Sequence, residues 1–209
     1  MPPLTFFSRS NNLLIALCCT QLLSINAQAG NLEITSMLGY NFSPKLTSAD
    51  NTIDIATTDE PNVALAFSWQ DSTTGQGQIL VNYISRDFTD NGSVINIGQS
   101  SHSFDTLYAH FNGVTFLKKR NYITTVGMGI GATYFNSDFD SAIYPSVTIA
   151  VGTRHEFSNN LSFITELRAY ATLTKDDDTI FCQNGTCLAH FDNTIWIDGQ
   201  ISIGLAYRF

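Results

Sequence analysis

A two-residue rhythm governs this chain and holds to its last residue. In the closing stretch ISIGLAYRF, Ile201, Ile203, Leu205, Tyr207 and Phe209 alternate with Ser202, Gly204, Ala206 and Arg208. Successive side chains of a β-strand point to opposite faces, so such a segment has one apolar face and one small or polar face. Chain ends are poorly ordered unless something ties them down. A strict rhythm up to a terminal aromatic therefore predicts a last strand that is paired and cannot fray. Seven earlier stretches carry the same period. The eight, approximately 31–42, 61–70, 76–86, 103–117, 122–135, 145–157, 161–173 and 194–209, predict an all-β chain.

The connections alternate in length. Short ones (71–75, 118–121, 158–160) lie between long ones (43–60, 87–102, 136–144, 174–193). An up-and-down meander gives this pattern when every long loop lies at one end, as in transmembrane barrels. An immunoglobulin-like sandwich has no reason for it.

The aromatics decide between a soluble core and a lipid-facing surface. Tyr40, Phe42, Tyr83 and Tyr134 fall near the long-loop ends, and Trp69, Tyr122, Phe157, Phe163, Tyr207 and Phe209 near the short-turn ends. Two girdles flanking an aliphatic band suit the two interfaces of a bilayer. Phe111, in mid-strand, is an exception. Charged residues are 13% of the chain, against about 25% in soluble domains. Mean hydropathy is only +0.02, and after residue 29 no apolar run is long enough for a spanning helix. The expected fold is an eight-stranded antiparallel up-and-down transmembrane β-barrel. It must close, because an open sheet edge leaves backbone groups unpaired in hydrocarbon. A barrel that small is nearly filled by its own side chains, and Gly127, Gly129 and Gly131 would leave room for bulkier neighbours.

The first residues read as an export signal. Arg9 supplies a sparse positive region, LLIALCCTQLLSI (13–25) an apolar core, and AQA (27–29) a cleavage site, which predicts a leader over 1–29 and a barrel over 30–209. Leu17 before Cys18 does not fit a lipoprotein signal. Losing the leader leaves nine basic side chains against eighteen acidic ones, a net of −9, so nucleic acid is not an expected partner. Cys182 and Cys187, in CQNGTC, remain. An exported pair this close is expected to form a local disulfide rather than a metal or redox site.

The C-terminal strand ending Leu205, Tyr207, Phe209 resembles the signal read by the bacterial barrel assembly machinery. RHEFSNNLSFITELRAY (154–170) resembles a hairpin of OmpA-type eight-stranded barrels, with an inward Glu166 and Arg168. FDTLYAHFNGVTFL (104–117), YITTVGMGIGAT (122–133) and DDDTIFCQNGTCLAHF (176–191) resemble porin-family outer-membrane proteins of Gram-negative bacteria. The resemblance implies an outer-membrane location, the assembly machinery as a partner during biogenesis, and no particular activity or cofactor.

The interior face is expected to collect Glu33, Gln78, Arg86, Tyr108, His110, Arg154, Glu166, Arg168, Asp198 and Arg208. Acids and bases gathered there read as a polar core in which no buried charge stands alone. A lumen lined for small solutes, gated by exchangeable ion pairs, is the alternative. An enzyme reading fails locally. His155 and Ser158 are three residues apart and His102 and Ser103 adjacent, so each pair falls on opposite strand faces. The long loops are acidic, with Asp50, Asp54, Asp59, Glu60, Asp87, Asp90, Asp138, Asp140, Asp176, Asp177, Asp178 and Asp192. Divalent cations bridging such carboxylates to lipopolysaccharide phosphates would make these loops a contact surface; no EF-hand spacing is present. Lys118, Lys119 and Arg120 form a basic turn at the opposite end, suited to anionic headgroups. The expected role is structural or interactive, through the external loops and an unidentified ligand. A narrow channel is the second reading and a lipid-modifying enzyme the third.

Overall fold

A computed structural model describes residues 32–42, 46–48, 54–55, 59–89, 101–118, 122–137, 140–174, 182–183, 186–187, 189–190 and 194–209. The expected leader over 1–29 lies outside these residues. Eight long strands form the wall: β1 (Leu32–Phe42), β2 (Glu60–Gln70), β3 (Gly75–Thr89), β4 (Ser101–Lys118), β5 (Ile123–Ser137), β6 (Ser141–Glu156), β7 (Leu161–Leu173) and β8 (Ile195–Arg208). Each pairs antiparallel with its neighbours in chain order, and β1 closes against β8, from Glu33↔Arg208 to Phe42↔Gly199. The result is a closed eight-stranded antiparallel barrel with both described ends at the short-turn side.

The period-two pattern sets which side chains face out. On β8, Ile195, Ile197, Ile201, Ile203, Leu205, Tyr207 and Phe209 are exposed, while Trp196, Asp198, Gln200, Ser202 and Ala206 are buried. The same alternation runs around the wall. Leu38, Val63, Leu65, Val81, Met128, Ile130, Val147 and Ile149 form an exposed aliphatic belt. A soluble protein does not expose a continuous apolar surface of this extent. Hydrocarbon is the solvent it fits, and the fold is a transmembrane barrel. Phe111 is less exceptional than its sequence position implies. It faces outward with its ring 5.5 Å from Trp69, whose indole covers Gly77 on the next strand. These three sit beside one another at the short-turn half of the wall.

Two features depart from the sequence reading. The connection 136–144 is not long, because β5 and β6 continue to Asn136↔Ser141, and Ser137 N–H donates to Asp140 O at 2.9 Å. Pro145, which looks like a strand start, pairs with Ala132 on one side only, and the ladder to β7 begins at Ser146↔Thr172. A proline there interrupts no two-sided ladder. The long connections also carry short strands. Leu46–Ser48 lies between Asp54–Ile55 and Ala189–His190 in a three-stranded sheet that joins the β1–β2 and β7–β8 loops. Finally, Cys182 and Cys187 face each other as register partners in a two-stranded ribbon. The side chains of both residues lie outside the described ones, and with them the expected disulfide.

Candidate functional site: the barrel interior

The inward face carries every residue expected there. Glu33, Gln78, Arg86, His110, Arg154, Arg168 and Asp198 are buried, Tyr108 is fully so, and Glu166 and Arg208 are partly exposed. Apart from Gln78, which donates to Ser68 Oγ and accepts from Asn112 Nδ2, they fall into three centres, strung between the long-loop end and the short-turn end.

The centre nearest the long loops is built on Arg86 of β3. Its Nη2 donates to Asp198 Oδ2 and to Asn41 Oδ1, each at 2.7 Å, and its Nη1 to Thr106 Oγ1 at 2.8 Å. Tyr108 O–H donates to the same Asp198 oxygen. Four strands therefore meet at one ion pair whose two side chains are wholly shielded from solvent. Above it, Phe104, Phe135, Tyr144 and Trp196 turn inward and are buried. Phe135 is the hub, with ring centroids 6.4 Å from Phe104, 5.9 Å from Tyr144 and 6.3 Å from Trp196. The sequence reading missed this aromatic cap. Its signal was present, since all four lie on the polar-face parity of their strands just inside a loop.

The middle centre is mixed. Tyr108 stacks on Tyr170 at 4.0 Å, and His110 lies 5.4 Å from Tyr170. Arg168 Nε donates to Glu166 Oε1 at 2.7 Å on the same strand face, and Arg168 Nη1 to Thr148 Oγ1 at 3.3 Å. An amide chain crosses the lumen, Asn62 Nδ2 to Asn82 Oδ1 at 2.7 Å and Asn82 Nδ2 to Gln200 Oε1 at 2.8 Å. Met37, Ala64, Ala66, Leu80 and Ile84 fill the wall of β1–β3 beside it. The glycines of β5 receive β4. A Cβ on Gly129 would strike Asn112 Oδ1, and one on Gly131 would strike the backbone at Ala109 and His110.

The short-turn centre is built on Glu33. Arg154 grips it with both terminal nitrogens, Nη1 to Oε1 at 2.8 Å, and also donates from Nη2 to Ser162 Oγ at 2.9 Å. Arg208 Nη2 is 3.5 Å from the same carboxylate. Below it the strand ends are tied. Asn160 Nδ2 donates to Arg208 O at 2.7 Å, Arg208 N–H to Asn160 O at 2.8 Å, and Phe209 N–H to Leu32 O at 3.0 Å. This is how Leu205, Tyr207 and Phe209 stay in register to the end of the chain.

A Ser–His contact does occur, between residues the local motifs did not join. Ser146 Oγ lies 2.9 Å from His110 Nε2. Both side chains are buried inside the wall. Among the described residues no group of three His, Cys, Asp or Glu is placed to hold a metal ion. Of the acidic loop residues named above, only Asp59, Glu60 and Asp140 have described side chains. One larger cavity, about 580 Å³, lies on the outer wall and is lined by Leu38, Glu60, Pro61, Val63, Tyr83 and Ser85. It sits where the β2–β3 ladder stops at Asn62↔Ile84, one residue short of Pro61.

The class these features define is the small transmembrane β-barrel with a filled polar interior. No protein-family model matches the chain, and no curated protein matches its sequence. Among solved structures it is similar to Neisserial surface protein A, with 7% identity over 85% of this chain and 97% of that one and a TM-score of 0.57. It is similar to the outer membrane protein OprG from Pseudomonas aeruginosa, with 11% identity over 87% and 96% and a TM-score of 0.56. It is also similar to the outer membrane protein AlkL in DMPC bilayers, with 13% identity over 89% and 94% and a TM-score of 0.54. At such identities the likeness is one of fold. It extends to small outer-membrane barrels in general and does not single out the OmpA type.

Proposed function

We propose that the protein is an integral outer-membrane barrel with a structural or surface-interaction role, exerted through its external loops, and with a closed lumen. The observation that carries this reading is the filled interior. An aromatic cap, three charge centres and an amide chain follow one another from one mouth to the other. Eight strands leave little bore to begin with. What remains free to vary is the long-loop end, where the β1–β2 and β7–β8 loops share a sheet. Lipopolysaccharide and outer-membrane lipid are the partners this reading assigns, with the barrel assembly machinery reading the C-terminal strand during biogenesis. A Cys182–Cys187 disulfide shaping the loop tip belongs to the same reading, and no catalysis does.

A narrow channel is the second reading, favoured by one observation. Arg168 Nη2, Gln200 Nε2 and Ser202 Oγ have no hydrogen-bond partner among the described residues, so the polar interior is not fully satisfied. Planar-bilayer recording separates the two readings, once heat-dependent gel mobility has shown the protein to be folded. A closed barrel gives no reproducible conductance steps. Steps that change with Glu166→Gln or Arg168→Gln would replace the first reading with the second.

A further inference from the structure

At the short-turn mouth the lumen ends in a small basic vestibule. Gln70, Phe116, Lys118, Arg154, Glu156 and Arg208 line a cavity of about 40 Å³ there. Three cations converge on it. Arg154 lies over the Phe116 ring, 5.8 Å from its centroid, and only 3% of its side chain is exposed. Its terminal nitrogens are committed to Glu33 and Ser162, but its Nε–H has no hydrogen-bond partner. The nearest other carboxylate, Glu156, is 3.7 Å from that nitrogen and half exposed. Arg208 must share Glu33 with Arg154 and reaches it only at 3.5 Å. Lys118 adds a third positive charge, and Lys119 and Arg120 follow it in the chain. Two carboxylates thus face three cations, in a protein whose net charge is −8.

A positive site of this kind is stabilised by an oxyanion, and guanidinium groups bind carboxylate and phosphate oxygens through short charge-assisted hydrogen bonds. The volume exceeds the ~10–15 Å³ that one water needs, so a carboxylate or the oxygens of a phosphate can enter. The lining side chains come from the inward face and the mouth, so the ligand arrives from the aqueous side rather than from the lipid.

We propose that this vestibule binds an oxyanion, a phosphate or a carboxylate end-group, between Arg208 and Lys118, with the buried Arg154 guanidinium adding positive charge behind them. The proposal stands apart from the surface-interaction reading and holds whether or not the lumen conducts. The test is nitrogen-15 NMR of the arginine Nε–H signals, on the protein folded in lipid nanodiscs. Inorganic phosphate and acetate are titrated separately, against chloride at matched ionic strength. A saturable shift of the Arg208 signal is expected with phosphate, acetate or both. Phosphate alone identifies free or esterified phosphate as the ligand, and acetate alone a carboxylate end such as a peptide terminus. Arg208→Gln is expected to weaken binding about tenfold, or about 1.4 kcal/mol, and Lys118→Gln to weaken it as well. Both residues are partly exposed or exposed, and gel mobility checks their folding; if Arg208→Gln misfolds, Lys118→Gln carries the comparison. Shifts no larger than those with chloride, or unchanged affinity in the folded variants, would overturn the proposal.

Discussion

Arg86 has no exit to water, and its charge is held by one carboxylate. Asp198 Oδ2 accepts from both Arg86 and Tyr108, 112 and 90 residues away in the chain. Taking two such charges out of water is expensive, and the pair returns that cost only while both members are present. Asp198→Asn keeps the shape and removes the charge. It is expected to destabilise the folded barrel by about 3–5 kcal/mol, the usual cost of breaking a buried pair. Glu156→Gln, at a half-exposed position 3.7 Å from Arg154, is expected to cost less than about 1 kcal/mol. Urea unfolding in lipid vesicles measures both. Equal midpoints for the two variants would show that the Arg86 centre does not hold the strands together.

At the scale of the element, β4 and β5 are fitted by absence. Gly129 faces inward opposite Asn112, and an added Cβ would collide with Asn112 Oδ1 and lie 2.6 Å from Phe111 O. Backbone cannot yield as a side-chain tip can. Gly129→Ala is therefore expected to destabilise by about 1–3 kcal/mol, the range for overpacked cores. At Gly127 the nearest atoms are 3.5 Å away or more, which is ordinary contact, and Gly127→Ala should fold as the parent does. The loss of heat-dependent gel mobility at a lower temperature in the first variant and not in the second is the expected readout. The sequence shows that these glycines alternate and predicts the face they occupy. It does not show which of them touches what, because that depends on register across strands. The same limit runs through the interior. Glu166 and Arg168 are legible as a pair because two residues of one strand share a face. Glu33 and Arg154 meet only across the closed barrel, and Ser146 and His110 only over Gly131 of the strand between them, at separations of 121 and 36 residues. The full length of β5 and β6 is hidden by composition. NSDFDSAIYP looks like loop, yet the β5–β6 ladder runs through most of it, since Pro145 sits where only one neighbour needs hydrogen bonds.

For the whole molecule the decisive quantity is the sign of a surface substitution. Ile149 lies in the middle of the outer belt, 60% exposed, between Met128 on β5 and Ala169 on β7. Asn136 is exposed near the long-loop end of β5, one residue before its last. In water an exposed isoleucine gains nothing by being apolar, and Ile149→Arg would be neutral or helpful. In a bilayer, arginine at the midplane of a barrel costs about 2–4 kcal/mol, falling to about 0–1 kcal/mol near the interface. Ile149→Arg is thus expected to lower stability in lipid vesicles by that larger amount, and Asn136→Arg by little. The contrast follows from the exposed belt itself and needs no resemblance to any other protein. A stability unchanged or raised by Ile149→Arg, measured by urea unfolding in vesicles, would mean that the belt does not face hydrocarbon. The same result would remove the reason for the barrel to close, because only in hydrocarbon must every wall N–H and C=O find a partner within the sheet.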